Sequence, residues 1–260
     1  MKGVNKLKSL NRKVASLRNS MMTKAVIGTS IISHKLSLES KEPILFCIGM
    51  QRTGTTSIGD FCEKQLGMRR RGYNVSKERR WTRAWYEGRL EEVFKDPVFL
   101  TGQMFDDDPW WCPGVYQVLA ERFPGAKFVM FKRPVESWFR SLLAHSNGRS
   151  PGYTDIHARI YGLEEVWRGS LEYGSDISCS GRHGIELKLF EQHYKRFYLN
   201  YINNVERYFA NYGQDRLFTS DLDDPEKFRK LARFLGYADL DYQEVHSNLI
   251  ASKGDAQNEG

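Results

Sequence analysis

The chain has no lysine at position 55, where a glycine loop of this spacing needs one to reach the outer phosphates of a nucleoside triphosphate. Cysteine is sparse as well: Cys47, Cys62, Cys112 and Cys179 show no paired spacing, which argues against a disulfide framework or a structural zinc and for a reducing compartment. Nor is there an apolar run fit to span a membrane, since the stretch from Ala25 to Ser33 is short and broken by Gly28, Thr29 and Ser30. The basic region ahead of it is too long for a signal peptide, so a soluble, cytoplasmic protein is expected, with at most a peripheral membrane contact. Internal repeats and low-complexity segments are absent.

Acid is scarce in one region only. Residues 1–41 hold nine Lys or Arg against the single acid Glu39, and the other 219 residues together carry a charge of −1. The net charge of +7 therefore belongs to an N-terminal extension and is no footprint of nucleic-acid binding. Val4, Leu7, Leu10, Val14 and Leu17 recur in it at helical spacing among the cations. Two readings fit: a basic amphipathic helix that lies on an anionic membrane or a partner, or a solvated extension. With 260 residues, 40% of them hydrophobic, the chain can bury one good core, placed here in a single domain over residues 42–250, with a tail at 251–260.

What is present begins with Ile44-Leu45-Phe46-Cys47-Ile48, a buried-strand pattern, followed by Gly49-Met50-Gln51-Arg52-Thr53-Gly54-Thr55-Thr56-Ser57 and a helical stretch from Ile58 that stops at Gly67. Strand, glycine loop and helix are the setting of a phosphate-binding loop: backbone N–H groups and the positive end of the helix converge on one anion. Thr53, Thr55, Thr56 and Ser57 add hydroxyls, and Arg52 is the only cation in the loop. A plain helix-capping turn is the alternative.

Beyond it, strand and helix alternate. The patterns predict a strand at 97–101, a helix at 114–122, a strand at 127–131 and a helix from Pro134 to about His145. A turn-rich excursion over 146–183 is placed to shape a binding site. A helix over 185–212, a strand at 216–219 and a helix at 225–235 complete the series. This is an α/β fold, a three-layer sandwich about a mostly parallel sheet of the P-loop nucleoside-triphosphatase type. Arg133 falls where a strand gives way to a helix, the position at which such sheets bind ligands. Ser137 and Ser141 share one face of that helix, and either can add a hydroxyl to an anion held by Arg133.

Together, Gly49-x-x-Arg52-Thr53-Gly54-Thr55-x-Ser57 and Phe123-Pro124-Gly125-Ala126-Lys127-(x)5-Arg133-Pro134-(x)6-Ser141 resemble the sulfotransferases that use 3′-phosphoadenosine-5′-phosphosulfate (PAPS). Arg216-Leu217-Phe218, Phe234-Leu235-Gly236 and His246-x-Asn248 extend the likeness over residues 43–250. The resemblance implies that Arg52, Thr53, Gly54, Thr55, Thr56 and Ser57 grip the 5′-phosphosulfate and that Arg133 and Ser141 hold the 3′-phosphate. It further implies adenosine 3′,5′-bisphosphate (PAP) as product, no metal, and a hydroxylated acceptor, a glycan or glycolipid. The chain departs from the family branch with D-x-P and R-x-P-x-x-W motifs by having no residue between Arg133 and Pro134 and three aspartates before Pro109.

An acceptor hydroxyl must lose a proton. Asp106-Asp107-Asp108-Pro109 follows the predicted strand at 97–101, and by the D-x-P match Asp107 is the first choice of base and Asp108 the second. Alternatively, Asp108 caps a helix that Pro109 opens. His145 is the reserve base; His183, His193 and His246 have no metal spacing. Trp81, Trp85, Tyr86, Trp110 and Trp111 suit either a sugar-binding mouth or the core. Arg69-Arg70-Arg71 and Arg79-Arg80 read as solvated charge runs or as contacts to an acidic acceptor. Lys253-Gly254 resembles a pair that folds over the 3′-phosphate in the family. A magnesium-dependent P-loop kinase and a non-catalytic scaffold are the competing readings.

Overall fold

The computed structural model describes residues 44–145, 152–172, 184–238 and 242. The basic extension, His183, His246 and Lys253-Gly254 lie outside the described residues.

The apolar run after Pro43 forms strand β1 (Leu45–Cys47), whose side chains alternate between two cores: Leu45 and Cys47 on one side, Phe46 and Ile48 on the other. Strand β4 (Lys127–Lys132) repeats the pattern with Val129 and Phe131 against Phe128 and Met130. Both strands are covered on two faces, which is why they read as unbroken apolar runs. With β2 (Arg70–Arg71), β3 (Met104–Phe105) and β5 (Leu217–Asp221) they make a five-stranded, all-parallel sheet in the order β2-β3-β1-β4-β5.

In chain order the α-helices are α1 (Thr55–Lys64), α2 (Tyr73–Arg79), α3 (Trp81–Tyr86), α4 (Leu90–Val93), α5 (Pro97–Leu100), α6 (Val115–Arg122), α7 (Val135–Ala144), α8 (Asp155–Ile160), α9 (Glu164–Glu172), α10 (Glu191–Tyr212) and α11 (Lys227–Leu235). α1 and α11 cover one face of the sheet, where Phe61 stacks on Phe228 at 4.7 Å. α6, α7 and α10 cover the other, and α10 is pinned to the strand ends by its tyrosines: Tyr201 donates to the Ile48 carbonyl at 2.8 Å and Tyr198 to that of Arg133 at 2.9 Å.

Several sequence expectations are corrected. Residues 97–100 are helical, because Asp96 caps the Val98 amide and Pro97 takes the first helical position, and this start signal outweighs the apolar run. The strand instead falls at β3. Pro109 opens no helix: the Asp108–Pro109 peptide is cis, the segment runs through turns, and the next helix begins at Val115. The excursion holds α8 and α9, and α8 is started by Thr154, whose hydroxyl accepts from the His157 amide at 3.1 Å.

The long helix starts at Glu191 rather than at 185. Ile185 donates from its amide to the Gly152 carbonyl at 2.8 Å and Leu187 is buried, so this stretch runs into a 3-10 turn that leaves Leu189 exposed. Arg69, Arg70 and Arg71 are not a solvated run. Arg70 pairs with Asp60 and Asp106, while Arg69 and Arg71 donate to the Thr101 and Val98 carbonyls at 3.0 Å.

Candidate active site

Because β3, β1 and β4 are parallel neighbours, the residues that follow them emerge at one edge of the sheet: the aspartate run, the glycine loop and Arg133. In the loop, Gly54 has φ 85° at the head of α1, and a Cβ there would stand 2.6 Å from a Leu222 methyl, so only glycine fits. Arg52, at φ 68°, adopts a left-handed backbone without that licence. Thr53 turns inward: its hydroxyl and amide both donate to the Met50 carbonyl, at 2.6 and 3.2 Å, closing the loop. Thr55, Thr56 and Ser57 form the first turn of α1, at the positive end of the helix.

Arg52 reaches across to α7. Its Nε donates to Ser141 Oγ at 3.1 Å, and one terminal nitrogen lies 3.5 Å from His145 Nδ1. A guanidinium only donates, so that ring nitrogen accepts. Arg133 donates to Ser137 Oγ at 2.8 Å and to the Arg52 carbonyl at 3.4 Å. Among the described residues neither guanidinium meets a carboxylate, and burial followed by repulsion from Arg133 lowers the pKa of Arg52. His145 is lowered too, by burial and then by Arg52.

The three aspartates part company. Asp106 is buried and takes two hydrogen bonds from Arg70, at 2.9 and 2.6 Å. Asp107 is pushed up to about 8 by burial first and by the charge and hydrogen bond of Asp108 next. Asp108 accepts from the Thr82 hydroxyl at 2.8 Å. His157, on α8, is lowered by burial while Asp108 and Asp155 pull it back up; its Nδ1 lies 2.7 Å from Thr154 Oγ1.

These groups open on a cavity of about 1010 Å³ whose wall includes Arg52, Thr55, Thr56, Asp107, Asp108 and His157. His145 and Trp111 also line it; Arg133 and Ser141 do not, and touch it only through Arg52. The excursion is docked here by Gln51, which donates to Tyr161 Oη at 2.7 Å, and by Arg83, which donates to Asp155 at 2.9 and 3.3 Å. Trp81 and Trp110 are core.

The sulfotransferase-domain family profile matches residues 44–242. The chain belongs to the sulfotransferase family. The strand-end arginines and the aspartate run therefore sit in a sulfotransferase domain, a transferase of sulfuryl groups. Among solved structures it is similar to the sulfotransferase of Alicyclobacillus acidocaldarius, at 14% identity and a TM-score of 0.49 over 80% of this chain and 86% of that one. No curated protein sequence is significantly similar to it.

Nothing in the sequence of this sulfotransferase domain singles out Thr82, His157 or Tyr161, or sets Gln51 apart from its loop and Arg70 from its run. The local signal nearest His157 is the helix-starting Thr154-Asp155 ahead of it. Arg70 was hidden in a run of arginines, where nothing local tells a buried cation from a solvated one.

Proposed function

We propose that this domain transfers a sulfuryl group from PAPS to a hydroxyl of a carbohydrate or glycolipid. The observation that supports it most is Arg52 beside Arg133: two cations from different strand ends, with no carboxylate partner among the described residues, suit a ligand with two separate anionic groups. The loop fits the phosphosulfate. A Cβ on Gly49 would come within 2.8 Å of Thr53 Oγ1 and one on Gly54 within 2.6 Å of a Leu222 methyl, so the tight turn that aims the loop's amides at one anion depends on both glycines. Thr55 in place of a lysine agrees with a donor that has no γ-phosphate.

When bound, PAPS supplies the sulfuryl group and a good leaving group. The bond between sulfur and the bridging phosphate oxygen breaks, a bond to the acceptor oxygen forms, and PAP departs. Arg52 and the first-turn amides of α1 stabilise the charge that builds on the bridging oxygen. Asp107, with a pKa raised to about 8, takes the acceptor proton in its ionised form, a basicity suited to a hydroxyl. Asp108 is the second candidate, held by Thr82. His145, engaged by Arg52, belongs to the donor end.

Thermal shift with PAP, set against ATP plus magnesium, tests the donor. Stabilisation by PAP alone is expected, and its absence would sink the proposal; stabilisation by ATP plus magnesium would favour a kinase. Turnover that survives both Asp107→Asn and Asp108→Asn would remove the aspartates from the mechanism.

A further inference from the structure

Three non-glycine residues among those described have a left-handed backbone: Arg52 at φ 68°, Arg80 at φ 58° and Asp107 at φ 72°. All three line the same cavity. Such strain collects at functional sites and persists only where the surroundings hold it. Arg52 and Asp107 already have roles in the reading above. Arg80 has none.

Arg80 is the hinge between α2 and α3: its amide donates to the Lys77 carbonyl at 3.3 Å and its carbonyl accepts from Ala84 at 2.9 Å. A left-handed helix end is the place of glycine. Glycine would serve the backbone there without strain, so the guanidinium is what distinguishes the residue. Within the described chain that guanidinium has no hydrogen bond or ion pair, although its neighbours do. Arg79 holds Asp96 at 2.8 and 3.1 Å, and Arg83 holds Asp155. Arg80 also borders a smaller hollow of about 470 Å³, but its acids are taken, Asp96 by Arg79 and Trp81 and Glu92 by Arg89.

We propose that Arg80 recognises the acceptor, and that the acceptor carries an anionic group, a carboxylate or a sulfate ester, besides the hydroxyl that is sulfated. This rests on the sulfotransfer reading and deepens it. The donor anions fall to Arg52 and Arg133 on the strand ends, whereas Arg80 presents a planar fork from the wall built by α2 and α3, with Lys77 on the same wall.

The test measures transfer from labelled PAPS to three probes: methyl glucoside, methyl glucuronide and methyl glucoside 6-sulfate. The wild type is expected to prefer one charged probe over the neutral one by about tenfold or more in kcat/KM, the carboxylate and sulfate arms telling the two anions apart. Arg80→Gly is expected to abolish that preference while PAP affinity stays unchanged and Tm does not fall; Arg80→Lys keeps part of it. The proposal is overturned if Arg80→Gly retains the preference or weakens PAP binding, or if the wild type favours the neutral sugar. Where none of the probes is turned over, their binding to PAP-loaded protein is measured by calorimetry, and equal or absent binding of the charged probes overturns it as well. PAP affinity, read without sugar, tests the donor reading separately.

Discussion

Arg52 Nε donates to Ser141 Oγ at 3.1 Å, joining the glycine loop to helix α7 across 89 residues of sequence. The glycine loop and the Arg133–Ser141 segment thus meet in a direct contact. Ser141→Ala is expected to weaken PAP binding about three- to tenfold, as loss of one hydrogen bond would, and Arg133→Ala by about ten- to a hundredfold, as loss of a charged one would. Isothermal calorimetry checks both, and PAP binding untouched by Arg133→Ala would separate Arg133 from the donor.

Asp107 ties stability to pH. Its folded pKa, about 8, lies above the ordinary carboxylate value, so the folded chain holds a proton that the unfolded chain releases. Its contribution is therefore fully present at acidic pH and is lost as pH rises through 8. Urea denaturation from pH 5 to 8.5 is expected to show stability falling with pH, and falling less in Asp107→Asn. An Asp107→Asn variant with the wild-type slope would contradict the assignment.

His157 faces Asp108, Asp155 and His145. As pH drops and its ring gains a proton, the positive charge beside Asp108 makes the acid pair a weaker base. The acid limb of the kcat/KM profile is expected to flatten in His157→Gln, with PAP affinity unchanged. An unaltered limb would place His157 outside the proton path.

Gly59 marks where α1 presses on buried charge. A Cβ there would stand 2.6 Å from Asp106 Oδ2 and clash with Arg70, which cannot yield because Asp60 and Asp106 hold it. Gly59→Ala improves helix propensity by about 1 kcal/mol, yet it is expected to destabilise by roughly 2 kcal/mol net, and Arg70→Ala by about 3–5 kcal/mol because Asp106 is left buried and unpaired. Chemical denaturation measures both; a stabilised Gly59→Ala would show that the pair has room to move.

Much of this was legible in the chain itself. The apolar runs of β1 and β4 and the glycine pair at 49 and 54 are local, periodic signals, and each element appeared within a few residues of its expected place. The aspartate run reaches the expected edge of the sheet even though the strand before it lies at 104–105 and not at 97–101. Topology carried that inference through, since any parallel strand delivers its following residues to the same edge. Pro97-Val98-Phe99-Leu100 is apolar enough for a strand, but the Asp96 cap on the Val98 amide starts a helix there.

By itself the sequence determined the fold class, the glycine loop between the first strand and helix, and the family, because glycine spacing, strand runs and charge at strand ends depend only on near neighbours. The tertiary structure alone decided which charges are free. Arg70 and Asp106 meet across 36 residues and cancel, Arg79 and Arg83 find acids, and Arg52, Arg133 and Arg80 find none among the described residues. Whether an arginine is a strut or a ligand hook is set by what the strand order and the docking of α8 bring within about 3 Å of it, a distance that sequence separation does not encode.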